Sequence, residues 1–552
     1  MSELSYVSGP SDRPLLGRTI GAQLDLTAST HPDVEAIVAL HQGLRLTYQE
    51  LHAEVERAAR ALLAMGVAKG DRVGIWSPNR VEWVIVQYAT AKVGAILVNV
   101  NPAYRRHELR HAMSAAGVSV LIAAQGFHAA DYVAMLEDER PALPGLRMIV
   151  LLGEGELPAW AISWDAFVDS ASAIATQALR DREATLDPDD PINIQFTSGT
   201  TGAPKGATLT HHNVLNNGTL VGARLRYVAG DRVCVPVPFY HCFGMVLGNL
   251  ACLVHGATVV LPGESFVAAG CLATIEAERC TSVYGVPTMF IAILEDPGFD
   301  GYHLASLRKG IMAGAPCPVE VMRRVIDRMH AREMTICYGM TETSPVSFQS
   351  MPDDELELRV STVGRVHPWV EAKVVDPVDG AVVPRGREGE LCIRGYLVMR
   401  GYWEQPDETR RTIDPAGWLR TGDLAVMRDD GAVSIVGRLK DMIIRGGENV
   451  YPREIEEFLF TNPKVADAQV IGVPDPKYGE AVCAWIELHP GEDATEDEIR
   501  EFCKGQIATF KIPRYVRFTD DFPMTVTGKI QKYRMREISI EELGLGEAAP
   551  TS

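Results

Sequence analysis

The chain runs to 552 residues, more than one hydrophobic core usually organises, so at least two domains are expected. Its composition is that of an ordinary globular protein, 46% hydrophobic and 23% charged, and a net charge of -19 argues against a bulk nucleic-acid or anionic-membrane partner. The cysteines all lie between Cys234 and Cys503 with no Cys-x-x-Cys pair, which speaks against a disulfide framework or a structural zinc site.

The start of the chain has no basic stretch leading into an apolar run, and no window approaches the length of a membrane span. The expectation is a cytoplasmic protein with no transmembrane segment; a homo-oligomer is left open.

In chain order, "VEAIVAL" (Val34 to Leu40) predicts a strand. "TYQELHAEVERAARALLAMG" predicts an amphipathic helix: Thr47 and Glu50 form a capping box, Leu51, Val55, Ala58 and Leu62 share one face, and Gly66 ends it. The alternation continues with strand "RVGIWSP", helix "NRVEWVIVQYATAKVGA", strand "ILVNVNP", helix "RRHELRHAMSAAG" and strand "VSVLIAA". This is the rhythm of an α/β fold with doubly wound, mostly parallel sheets, whose ligands sit at the carboxyl ends of strands. Strand "INIQF" then delivers "FTSGTTGAPKG" (Phe196 to Gly206) at such an end.

Beyond about residue 380, shorter strands in "REGELCIRG", "GWLRTGDLAV" and "DDGAVSIVG" suggest a small barrel-like lobe. After "GRLKD" a compact α+β texture begins: helix "PREIEEFLF", strands "VADAQVIGV" and "EAVCAWIEL", a helix capped by Thr495 and Glu498, and strand "YVRFT". The predicted division is 1–437 for a large N-terminal domain, 438–440 for a hinge, and 441–552 for a small mobile C-terminal domain.

The Gly-Thr loop suits a polyphosphate, because glycines let backbone N–H groups approach an anion, hydroxyls add donors and Lys205 adds a point charge. It is not a P-loop, since Lys205 follows Pro204 and precedes Gly206. Alone, it reads equally as a surface turn. Five further stretches accompany it: "AGAP" (Ala313 to Pro316), "YGMTET" (Tyr338 to Thr343), "RTGD" (Arg420 to Asp423), "GRLKDMIIRGGENVYP" (Gly437 to Pro452) and "PMTVTGKIQK" (Pro523 to Lys532).

With these six motifs in order, the sequence resembles the adenylate-forming superfamily of acyl-CoA synthetases, carrier-protein adenylation domains and beetle luciferases. "IIRGGENVYPREIEEFL", "GELCIRGYLVMRGYW" and "FCKGQIATFKIPRYV" are most similar to medium-chain fatty acyl-CoA synthetases. The resemblance implies ATP-dependent activation of a medium- or long-chain fatty acid to acyl-AMP, then to acyl-CoA, with ATP, Mg²⁺ and coenzyme A. Alternatives kept open are a fatty acyl-AMP ligase, an adenylation enzyme serving a carrier protein, and a non-catalytic nucleotide or acyl sensor.

The resemblance also implies roles. Thr197, Ser198, Gly199, Thr200, Thr201, Gly202 and Lys205 would wrap the β- and γ-phosphates, and Thr341 would donate to the α-phosphate while Glu342 binds Mg²⁺. Gly314, Ala315 and Pro316 would lie along the adenine, with Tyr338, Gly339 and Met340 on its other side. Asp423 and Arg438 would reach the ribose, and Lys529 would bridge the carboxylate and the α-phosphate. Lys440 would be the hinge, and Arg445, Gly446 and Gly447 would meet coenzyme A, with Lys504, Lys511 and Arg514 as further candidates for its phosphates. His241, Phe243 and Gly244 would border the acyl group, although a histidine in so apolar a stretch reads more simply as a core residue.

Overall fold

The computed structural model describes residues 3–197, 204–315, 317–445, 448–524 and 530–545, the last two of the short gap's flanking positions, 448 and 449, by backbone alone. The chain divides into two compact units. The larger comprises Val7–Ala372 and Ile393–Leu419; the smaller takes the chain from Arg420 onward, Lys373–Cys392 and the start of the chain as far as Tyr6.

The larger unit is built on two sheets. One has eight strands in the order 162–163, 148–151, 120–123, 72–76, 96–99, 191–197, 205–210 and 401–402. The other has nine, in the order 365–366, 346–349, 333–339, 309–313, 282–285, 232–234, 258–261, 35–39 and 44–47. Most neighbours pair parallel, as repeated strand–helix–strand crossovers require; the eight-stranded sheet turns antiparallel only at its 205–210 and 401–402 end, the nine-stranded one at both ends. One apolar cluster joins strand residues of both sheets, among them Val73 and Leu97 of the first and Val233 and Val259 of the second.

Helix Tyr48–Ala64 forms where its cap and apolar face predict it, with the reciprocal Thr47–Glu50 bonds in place. Helix Val81–Val93 is buried on every side but Glu82, so it shows no apolar stripe. That burial includes Lys92, wholly enclosed, whose ammonium lies 2.6 Å from both Asp25 and Glu183. Two carboxylates are what so buried a cation demands.

In the smaller unit, Leu419–Met427 and Val433–Arg438 form an antiparallel ladder. A second sheet runs 448–450, 443–445, 479–488 and 465–475, with Tyr515–Phe518 parallel to Gly479–Leu488. Helices Pro452–Leu459, Glu496–Cys503 and Lys532–Glu542 pack on it, and Thr495 and Glu498 make the expected capping box. No helix among the described residues is long and apolar enough to cross a membrane.

Candidate functional site

Strand Pro191–Thr197 turns back on Lys205–Thr210, pairing Thr197 with Lys205 across the base of the Gly-Thr loop. The Thr197 hydroxyl donates to the Lys205 carbonyl at 3.4 Å. Ser198, Gly199, Thr200, Thr201 and Gly202 lie outside the described residues. The Lys205 ammonium pairs with Glu408 and stands 5.3 Å from the centre of the Tyr402 ring.

Strands Lys309–Ala313 and Glu333–Gly339 are parallel neighbours in register, Ala313 beside Cys337. Gly314 and Ala315 therefore leave the sheet at the same end as Tyr338, Gly339 and Met340, as a shared nucleotide edge requires; Pro316 lies outside the described residues. Tyr338 meets Phe348 edge-on, ring centres 6.3 Å apart. A Cβ at Gly339 would lie 1.8 Å from the Pro345 carbonyl oxygen, so only glycine fits this turn.

The 3₁₀ turn Thr341–Thr343 follows at once. Glu342 is only 6% exposed, and its Oε1 accepts from the Tyr402 hydroxyl at 2.8 Å. Burial pushes the Tyr402 phenol up, and the charge of Glu342 adds to this. Among the described residues no second donor reaches the Glu342 carboxylate, whose other oxygen is suited to a hard cation such as Mg²⁺. Thr341 meets the Cys242 thiol, which also lies 3.0 Å from Gln195 Oε1. Burial pushes that thiol up to about 12, which makes it a packed neutral group and no nucleophile.

These contacts link the predicted motifs within one unit. Gln195, Cys242 and Thr341 form one line; Glu342, Tyr402, Lys205 and Glu408 form another. Tyr402 and Glu408 escape the sequence analysis, although Tyr402 stands in the quoted "MRGYW"; only the fold brings either to its partner.

His241 is exposed and not a core residue. Its Nδ1 accepts from the Phe243 amide at 3.2 Å, and it precedes a π-helix, Phe243–Leu250, a widened form that recurs at functional sites. Gly244 sits so close to the preceding turn that a Cβ would lie 2.4 Å from the Pro238 carbonyl oxygen. Phe243 stacks on Tyr284, ring centres 5.7 Å apart.

In the smaller unit the Arg438 Nε lies 3.2 Å from Asp423 Oδ1, and the two residues face each other across the ladder. Arg438 thereby holds the carboxylate in one orientation. The Leu439 amide next to Lys440 donates to the Gly422 carbonyl at 2.9 Å, and burial pushes the Lys440 ammonium down, helped by Arg438. Arg445 donates to the Phe510 carbonyl at 2.6 Å and stacks on Tyr478. Lys504, Lys511 and Arg514 are paired with Glu501, Glu454 and Asp475. Gly446, Gly447 and Lys529 lie outside the described residues. Lys532 and Arg536, which follow Lys529 in a basic stretch, are tied to Glu456 at 2.5 Å and Glu480 at 2.7 Å.

The model of the AMP-binding enzyme family matches residues 24–403, and that of the AMP-binding enzyme C-terminal domain matches residues 454–529. The chain belongs to the AMP-binding enzyme family. Within that family it is 47% identical to YngI of Bacillus subtilis, over 97% of this chain and 99% of the relative. It is 46% identical to the mitochondrial medium-chain acyl-CoA ligase ACSF2 of Danio rerio, over 98% of this chain and 91% of that one. Among solved structures, the anthranilate CoA ligase AuaEII in complex with anthranoyl-AMP superposes with a TM-score of 0.86 at 28% identity, covering 97% of this chain and 99% of that chain.

Proposed function

We propose that this AMP-binding enzyme activates a medium- or long-chain fatty acid, with Mg²⁺ as cofactor. The chain is an AMP-forming acid–thiol ligase: an acid and ATP give acyl-AMP and pyrophosphate, and coenzyme A then displaces AMP to give acyl-CoA. A medium-chain acid is supported by the name of the vertebrate relative and by the wholly buried, largely apolar π-helix beside His241.

The first half-reaction brings a carboxylate against a polyphosphate, so the site must supply donors and positive charge. Thr197, Lys205 and the loop between them hold the leaving β- and γ-phosphates, while the Thr341 hydroxyl donates to the α-phosphate. Asp423 accepts from the ribose hydroxyls in the orientation fixed by Arg438. His241, Phe243 and Gly244 border the acyl group. Glu342 would hold Mg²⁺, which supplies charge neutralisation among the phosphate oxygens. Lys529 bridges the reacting anions, and Lys440 is the pivot that exchanges its loop for Arg445, Gly446 and Gly447 on the thiol side.

The observation that carries this reading is Glu342, a nearly buried carboxylate set one residue from Thr341 and two contacts from Lys205. A carboxylate enclosed to this degree at a site for anionic ligands is suited to holding a cation between them. A carrier-protein adenylation enzyme, a ligase that stops at acyl-AMP and a non-catalytic sensor are less well supported. Ten buried cysteines, none in a disulfide, support a reducing cytoplasmic setting.

The test incubates the protein with ATP, Mg²⁺ and saturated fatty acids of graded length, with and without coenzyme A. AMP and acyl-CoA, fastest with medium-length acids, are expected. Acyl-AMP that persists in the presence of coenzyme A, or no pyrophosphate exchange with any acid, would overturn the reading.

A further inference from the structure

Tyr402 belongs to none of the motifs assigned to nucleotide, metal or thiol, yet it joins two of them. Its backbone extends the sheet of the phosphate loop: Tyr402 pairs with Ala207 and Gly401 with Thr208, and the Trp403 amide donates to the Gly206 carbonyl at 2.7 Å. The Tyr402 amide is fixed in turn by the Thr409 hydroxyl at 2.9 Å. On one side of the ring the hydroxyl donates to Glu342 Oε1 at 2.8 Å; over the face stands the Lys205 ammonium, whose charge is matched by Glu408. The Met399 amide, three residues earlier, donates to the Glu342 carbonyl at 2.9 Å, so the same segment grips Glu342 by backbone and side chain.

We propose that Tyr402 is a positioning residue for Glu342: its hydroxyl occupies one carboxylate oxygen and turns the other toward a divalent cation, in a frame shared with Lys205. A carboxylate swings freely about its last bond unless something holds it, and an outer hydrogen-bond partner fixes both its direction and its ligand strength. Tyrosine suits the task because the donor sits on a rigid ring with only two torsions. The ring thus carries Lys205 over its face and Glu342 on its hydroxyl, two parts of one scaffold. The inference rests on Glu342 as a metal ligand and on Lys205 as a phosphate ligand.

The test is calorimetric binding of ATP to the full-length protein without acid, so that no turnover occurs, once with Mg²⁺ and once with a chelator. In the unaltered protein Mg²⁺ should tighten ATP binding; if it does not, the reading of Glu342 itself falls. Tyr402→Phe, which keeps the ring under Lys205, should weaken binding of Mg²⁺–ATP by about ten-fold while metal-free ATP stays within about two-fold. In a Glu342→Gln background the same change should have no further effect. Unaltered Mg²⁺–ATP affinity in Tyr402→Phe, or equal weakening of both forms of ATP, would overturn the proposal. Should Tyr402→Phe fail to fold, 3-fluorotyrosine incorporated at Tyr402 keeps the hydroxyl. Its fluorine signal should broaden when Mn²⁺–ATP binds, and a signal unchanged under saturating Mn²⁺–ATP would equally refute the role.

Discussion

Gly339 shows how tightly single residues are set at this site. Its would-be Cβ meets the Pro345 carbonyl oxygen at 1.8 Å, and backbone cannot yield as the end of a flexible side chain can. Gly339→Ala is therefore expected to lower stability by about 2–4 kcal/mol, read as a fall in melting temperature, and to displace Thr341 and Glu342 with it. Thr341→Val keeps the shape and removes the hydroxyl, with its contact to the Cys242 thiol. It should leave the melting temperature nearly unchanged and reduce kcat by about 100-fold in pyrophosphate release, the scale of losing one donor to developing charge.

Helix His211–Arg224 carries His211 wholly buried, with Nδ1 accepting from the Ile20 amide at 3.2 Å and Nε2 without a hydrogen-bond partner among the described residues. Burial pushes its imidazole down to about 4, against a weaker opposing pull from Asp190. An unfolded histidine titrates near 6.5, so between those values the unfolded chain binds the extra proton and stability rises with pH. The slope is at most about 1.4 kcal/mol per unit. His211→Gln should flatten the rise of melting temperature with pH in this window; an unchanged profile would assign the slope to other groups. Helices such as Tyr48–Ala64 are legible in sequence because cap, apolar face and stop agree, and strand Glu35–Ala39 because its apolar run is short and bounded. The π-helix Phe243–Leu250 is not, since a run apolar at all positions but Asn249 carries no period to read. Nor could pattern pair Glu342 with Tyr402 or Lys205 with Glu408, which lie 60 and 203 residues apart and meet only through sheet order.

At the scale of the whole molecule, two chemistries share one chain: adenylation, for which Lys529 is the proposed cation, and thioester formation, for which Gly446 and Gly447 are the proposed entry of the thiol arm. Their separate places in the sequence, Gly446 and Gly447 before strand 448–450 and Lys529 beyond strand 515–518, motivate a division of labour between conformations pivoting at Lys440. Lys440→Pro fixes one backbone angle and removes a donor at the pivot, so it should slow overall acyl-CoA formation by about ten-fold or more while sparing pyrophosphate exchange. The most direct measurement compares the two half-reactions in Lys529→Ala. Acid-dependent pyrophosphate exchange should be lost, while synthetic acyl-AMP is still converted to acyl-CoA at close to the unaltered rate; equal loss of both half-reactions would contradict the division.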